Sequence, residues 1–477
     1  MRKILLLFIM SQTAFAVSIK DYKYYNYDVF FTNPECKAYK FDKPVYSNDG
    51  SLLYAKPKNV YCLYKDAKEN QKRQSSPHYN LVKLITDSNL KELKMAYLSF
   101  SNSDIIKKLC SEAITKNNVK VTLIVDKKNL KKKDKVAKLD LIKNCKPAKK
   151  YTEQGVANYP RIEFRGHSGK IGFAHNKIII ASYKKEKAKR TIVYSSANMS
   201  SGTTLHHENW HFLTTSKESY FAQVHECVVE GMDKHSRTIR SRQGVKGKSG
   251  LQNFVSFMDK CRSDIKVKEE SDIKISIVPG DGKAAMNNII AHIKDSTRVS
   301  IAVHRFTHKP LLNALKRAAK KNSQEVRFIA DDDIYWSGMA NYVEQTKKVE
   351  CYNRAANPNI VSAVGANMCN EYFRVQSLKN SGAKIKYMET NQNLFLLHHN
   401  KYIVFELKDG SSAVHCGAGN FTAAAFSKNF ENFYFITIPE VVEKFKTQYD
   451  YVWNELATSE SNLPEQQVLP TGKKGTK

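Results

Sequence analysis

The chain has 477 residues, with 77 lysines and arginines against 46 aspartates and glutamates, for a formal charge of +31. No later stretch approaches the ~20 apolar residues of a membrane span, and none of the nine cysteines forms a Cys-x-x-Cys pair; this argues against a membrane-embedded protein and against a zinc or redox centre. The charge favours a polyanionic partner, either nucleic acid or an anionic membrane face.

In chain order, residues 1–16 have the pattern of a secretory signal: Arg2 and Lys3, an apolar run at 4–10, and the small-x-small site Ala14-Phe15-Ala16. The expected mature protein is soluble, secreted or periplasmic. In an oxidising compartment cysteines read as disulfides. Proximity suggests Cys36–Cys62, Cys110–Cys145, Cys227–Cys261 and Cys351–Cys369, leaving Cys416 as a buried thiol. Residues 17–75 are tyrosine-rich, with Pro34, Pro44 and Pro57, and read as an irregular lead-in.

Regular periodicity then begins. A helix is predicted at 78–87, a buried strand at 93–100, an amphipathic helix at 104–117 capped by Asp104, and a strand at 119–126. The order recurs as a helix at 284–294, a strand at 299–306, a helix at 310–321 opening on Pro310, and a strand at 326–330. Closing helices are expected at 218–231 and 439–456. The pattern predicts an α/β protein of two similar halves, 76–232 and 273–457, each a mostly parallel or mixed sheet flanked by helices. A basic linker at 233–272 joins them, and 458–477 reads as a disordered tail. Three basic blocks stand out, at 127–135, 184–190 and 237–248. The second forms the tip of a hairpin between Ile180 and Ile192.

The chemistry concentrates in Leu397-His398-His399-Asn400-Lys401-Tyr402. Alternate residues of a strand share a face, so His399 and Lys401 point the same way. An imidazole beside an ammonium is a poor metal site and a good phosphate site, with lysine neutralising the oxyanion while histidine attacks phosphorus or protonates a leaving oxygen. Fourteen residues after Lys401 comes His415-Cys416-Gly417-Ala418-Gly419-Asn420. The arrangement also occurs earlier, as Ala174-His175-Asn176-Lys177 followed by Ser195-Ser196-Ala197-Asn198.

His-x-Lys, a loop and a small-residue run ending in Asn, present twice, resembles the phospholipase D superfamily with its paired HKD motifs. The acid expected seven positions after each His is Glu406 in the second copy and Ser182 in the first. Glu208 and Glu431 match the carboxylate that in this family hydrogen-bonds the motif His. The resemblance implies two halves about a pseudo-two-fold axis and no metal or cofactor. It implies His175 as nucleophile, His399 as acid and base, and Lys177, Lys401, Asn198 and Asn420 as a cradle for the phosphoryl oxygens. Lys184, Lys185, Arg165 and Ser196 are candidate substrate contacts, with His167 and Trp336 weaker ones. His207 and His398 read as core or surface groups, and His415, just before Gly417, as a group lining the site without a catalytic role.

Three functions follow, in order of preference. The first is a secreted nuclease cutting DNA or RNA, and the second a phospholipase D acting on phosphatidyl headgroups. The third is a nucleic-acid-binding protein whose site has decayed. A monomer suffices, since both halves lie in one chain.

Overall fold

Ile178-Ile179-Ile180-Ala181 and Tyr402-Ile403-Val404-Phe405 are apolar on both faces, so each forms a strand buried from two sides. The computed structural model describes residues 16–34, 38–39, 45–46, 52–54, 59–60, 64–239, 247–331, 334, 370–388 and 397–460. The first half contains β1 (Asn26–Thr32), β2 (Leu90–Tyr97), β3 (Lys120–Asp126), β4 (Arg161–Arg165), β5 (Lys177–Tyr183), β6 (Lys189–Ser195) and β7 (His206–Ser216). The second contains β8 (Ile273–Val278), β9 (Ser296–Val303), β10 (Glu325–Asp331), β11 (Lys384–Met388), β12 (Leu397–His398), β13 (Tyr402–Leu407), β14 (Ser412–Gly417), β15 (Glu431–Ile436) and β16 (Ala457–Thr458).

The two eight-stranded sheets run β1-β7-β6-β5-β2-β3-β4, with β12 added to β7, and β8-β15-β14-β13-β9-β10-β11-β16. Without β12 and β16 the two orders are the same. Within these orders β2-β3-β4 and β9-β10-β11 pair in parallel, as does β12 where it joins β7. The remaining neighbours within these orders are antiparallel, so the sheets are mixed rather than mostly parallel. Helical crossovers serve one side of each half, while hairpin connections such as β5–β6 build the other.

Side-chain alternation places the cores. Ile178 and Ile180 face a central core shared with Tyr402 and Val404 of the other half, while Ile179 and Ala181 face the first half's own helices. Ile403 and Phe405 likewise face the second half's helices. The halves therefore meet sheet to sheet. Burying each such isoleucine is worth about 1.5–3 kcal/mol.

Several expectations change. Residues 26–32, read as irregular, form edge strand β1, whose Val29 is buried and whose Tyr27 and Phe31 pack on the central core. The period of two was present but obscured by the surrounding tyrosines. The linker contains a helix, Gly250–Asp264, capped by Ser249 and joined to the helix Tyr220–Lys234 by Cys227–Cys261. The cap of the helix Ser103–Lys108 is Asn102, not Asp104: its side chain accepts from the amides of Asp104 and Ile105. Thr458, placed in the disordered tail, pairs with Tyr387.

Cys110–Cys145 also forms, and Cys416 is a buried free thiol. The pairs Cys36–Cys62 and Cys351–Cys369, Trp336, residues 1–15 and 461–477 lie outside the described residues. Among the described residues no helix is long and apolar enough to cross a membrane.

Candidate active site

β5 opens at Lys177, and β13 opens directly after Lys401, so both His-x-Lys motifs stand at strand beginnings where the two sheets meet. Reciprocal backbone contacts join them. His399 N donates to His207 O at 3.0 Å, and His175 N donates to Phe430 O at 2.9 Å. Each motif histidine is thereby docked beside the other half's glutamate.

The glutamates accordingly cross over. His175 Nδ1 lies 2.7 Å from Glu431 Oε2 in a well-formed hydrogen bond. His399 Nδ1 lies 2.7 Å from Glu208 Oε1, with poorer angular alignment. Holding Nδ1 on a carboxylate fixes the imidazole and directs Nε2 to the reaction. Ser196, expected as a substrate contact, instead positions this system: its hydroxyl donates to Glu208 Oε2 at 2.5 Å and accepts from Asn209 N at 3.0 Å.

Both lysines are buried. Lys177 Nζ donates to His175 O at 2.8 Å and lies 3.2 Å from both ring nitrogens. Lys401 Nζ donates to His399 O at 2.5 Å. Burial pulls Lys177 down to about 8, against the attraction of Glu431 and Glu208. Burial, with the charge of Lys177, brings Lys401 down to about 7 despite Glu208 and Glu431. Burial also lowers both histidines, His175 against the opposing pull of Glu431. His399 falls well below the ordinary range, with Lys401, His206, Lys177 and His175 adding to the burial effect. These couplings place both motifs in one electrostatic unit. Asn198 and Asn420 are half-buried and keep side-chain oxygens with no protein partner. Behind the site, Asn176 Nδ2 donates to Asn432 Oδ1 at 3.3 Å and Asn209 Nδ2 to Asn400 Oδ1 at 3.1 Å, again across the halves.

Sequence reasoning missed two further pairs. Asp126 and Asp331 end the equivalent strands β3 and β10 and are fully buried. Asp126 accepts the amide of Ala174, the residue before His175, at 2.7 Å, and Asp331 accepts the amide of His398, the residue before His399, at 2.7 Å. Their only sequence signal is an acid closing each apolar strand. His304 and His206 crowd His399, with ring centroids 4.6 and 5.8 Å away. Among the described residues, His206, Glu208 and His399 can each offer one ligand atom to a metal ion, all within 4.8 Å of one another. The buried lysine ammoniums oppose a cation there.

Other candidates are not brought to the site. Lys184 and Lys185 follow β5 at its far end, roughly 20 Å from Lys177 at about 3.3 Å per residue, and Lys184 Nζ donates to Ser88 O and Asn117 O. Arg165 is buried, donating to Met232 O and Asp233 O, and holds the helix Tyr220–Lys234 onto the sheet. His167 Nε2 is engaged by Asp126 Oδ1 at 3.0 Å. His398 and His207 are core groups, their rings 6.3 Å apart. His415 is buried against Phe433, also as core.

Two mixed sheets in two similar halves, with a His-x-Lys, an Asn and a crossed Glu from each, define a phospholipase D-like protein. The family model for "Cardiolipin synthase, PLD-like domain" matches residues 81–230 and 289–453, and the chain belongs to that family. No curated protein matches the chain. Among solved structures it is similar to phosphatidylserine synthase of Haemophilus influenzae at 12% identity, covering 81% of this chain and 86% of that one with a TM-score of 0.50. It also resembles a polyphosphate kinase of Porphyromonas gingivalis (12% identity, TM-score 0.44), covering 81% of this chain and spanning about half, 51%, of that one. The phospholipase D family member Nuc of Salmonella typhimurium aligns at 20% identity over 39% of this chain and 95% of its own, with a TM-score of 0.26.

Proposed function

We propose that the chain is a metal-independent phosphodiesterase acting on DNA or RNA through a phosphohistidine. The observation that carries the chemistry is the crossed pairing of His175 with Glu431 and of His399 with Glu208. One imidazole Nε2 attacks phosphorus, forming the N–P bond as the bond to the leaving oxygen breaks. The other imidazole gives that oxygen its proton, then takes a proton from the water that displaces the phosphoryl group from nitrogen. Lys177 and Lys401 neutralise the non-bridging oxygens and Asn198 and Asn420 hydrogen-bond them, from positions organised before substrate arrives. We retain His175 as nucleophile and His399 as acid and base.

A formal charge of +31 supports the polynucleotide substrate. Two disulfides fit an oxidising, secreted or periplasmic setting. A second reading, hydrolysis or transfer at a phosphatidyl headgroup, is favoured by the description of the matching family.

The test offers purified protein plasmid DNA, RNA and mixed phosphatidyl lipids in EDTA, with His175→Ala and His399→Ala alongside. Nucleic-acid cleavage abolished in both variants is expected. Headgroup release without DNA cleavage would replace the reading with the second.

A further inference from the structure

The lysine cluster that the fold brings next to the His175 motif is not that of the β5–β6 hairpin. Between residues 127 and 138 the chain carries seven lysines and one aspartate, a net +6. This stretch starts where β3 ends, one residue after Asp126, and comprises a short turn, Lys127–Lys131, and the start of the helix Lys133–Lys143. It is anchored to both elements that carry the first half's catalytic groups. Lys127 Nζ donates to Ser168 Oγ at 3.2 Å. Lys128 Nζ lies 5.3 Å from the ring centroid of Phe173, two residues before His175. Lys135 Nζ donates to Ser99 Oγ at 2.7 Å and Lys138 Nζ to Ser101 O at 2.8 Å. Ser99 and Ser101 in turn bond the backbone of Met199, the residue after Asn198.

Lys128, Lys131, Lys132 and Lys133 remain exposed. The lysines crowd one another: burial, then the charge of Lys132, lowers Lys135. Such a cluster is eased by a bound polyanion, which releases condensed counterions as it neutralises the lysines. Leu130 is the exposed large apolar side chain within it. One leucine buries little area in a bilayer, whereas the four exposed lysines can meet several phosphates of one strand.

We propose that Lys127–Lys138 is a backbone-binding track that holds a polynucleotide strand next to His175, so that the enzyme favours long strands over short ones. The proposal rests on the nuclease reading above and specifies where its substrate lies.

The test compares the full chain with a quadruple variant, Lys128→Gln, Lys131→Gln, Lys132→Gln and Lys133→Gln, and with a control carrying Lys185→Gln and Lys187→Gln in the distant hairpin. Equal thermal midpoints establish that all three are folded. Steady-state cleavage of single strands from two to thirty nucleotides is measured across a salt series, with binding to phosphatidylglycerol vesicles in parallel. For the quadruple variant, KM for long strands is expected to rise about tenfold or more, and the salt dependence of affinity to flatten by about 0.7 in log–log slope per lysine removed. The gain in kcat/KM with strand length is lost with it. The hairpin control keeps the wild-type values.

A wild type that cleaves long strands while the quadruple variant keeps its KM and salt slope overturns the track and leaves the nuclease reading standing. So does a hairpin control that loses as much as the quadruple variant. A wild type that ignores nucleic acid, with vesicle binding lost in the quadruple variant, overturns both and assigns the lysines to a membrane.

Discussion

The two halves agree at the reacting end of their sheets and differ at the other. His, Lys, Asn, Glu and the strand-ending Asp occur in both, with each glutamate and each aspartate making the same contact. Further along, the charges are reversed. In the second half Arg298 on β9 bridges Glu406 on β13 at 3.1 Å and Glu325 on β10 at 2.7 Å. At the equivalent positions of the first half stand Glu92, Ser182 and Lys120, with Glu92 and Lys120 paired at 3.1 Å. The acid missing at Ser182 has in effect moved across to the neighbouring strand and found its own cation. What duplication preserves here is the set of groups gathered around the two His-x-Lys motifs; what it lets drift is an ion pair that can be rebuilt with opposite sign.

The halves also differ around their histidines. His399 is flanked by His304 and His206, with Arg305 nearby, whereas the equivalent positions around His175 hold Leu98, Asn429 and Ser99. Asn429 donates to Glu431 Oε1 at 3.1 Å and steadies the better-aligned His–Glu pair. Division of labour between two similar imidazoles can rest on this difference in surroundings.

The largest test removes the histidines. His175→Ala and His399→Ala should each lower kcat by about 10³-fold or more. With a p-nitrophenyl leaving group, which needs no proton, His399→Ala should lose much less than His175→Ala; the reverse order would exchange their roles. Next come the carboxylates. Glu208→Gln and Glu431→Gln should each cost about 10²-fold, and the crossing makes Glu208→Gln follow the leaving-group pattern of His399→Ala. A match to His175→Ala would break the crossed assignment.

The pH profile follows. Lys401 near 7 and Lys177 near 8 are cationic below those values and lose their charge as pH rises. Consequently kcat/KM should fall on the alkaline side, and Lys401→Arg, which stays charged, should flatten part of that limb. The smallest effect concerns the drifted ion pair. Ser182→Asp would face Glu92 across the strands, and Glu406→Ser would strip Arg298 of one partner; each should cost about 1 kcal/mol or less in urea unfolding.

The repeated motif made the reacting groups legible, because His-x-Lys needs only the period of a strand to place two side chains on one face. The helices and strands of the two crossover units were readable for the same reason. Asp126 and Asp331 were not, since each bonds a backbone amide 48 or 67 residues away and a backbone amide leaves no mark on residue type. The lysines at 184–185 misled through proximity in sequence: a strand carries its two ends far apart, so residues adjoining a motif strand can lie distant from the motif. Arg165 read as a substrate contact because an arginine's charge is visible in sequence and its burial is not.

The crossed glutamates also fix when the protein can act. The first half leaves the ribosome with His175 and Lys177 in place, but the carboxylate that orients His175 is Glu431, near the other end of the chain. Until the second half has folded and docked, neither imidazole has its orienting partner. Dependence on both halves works as a built-in latency: the two oriented pairs exist together only once the last strands are in place.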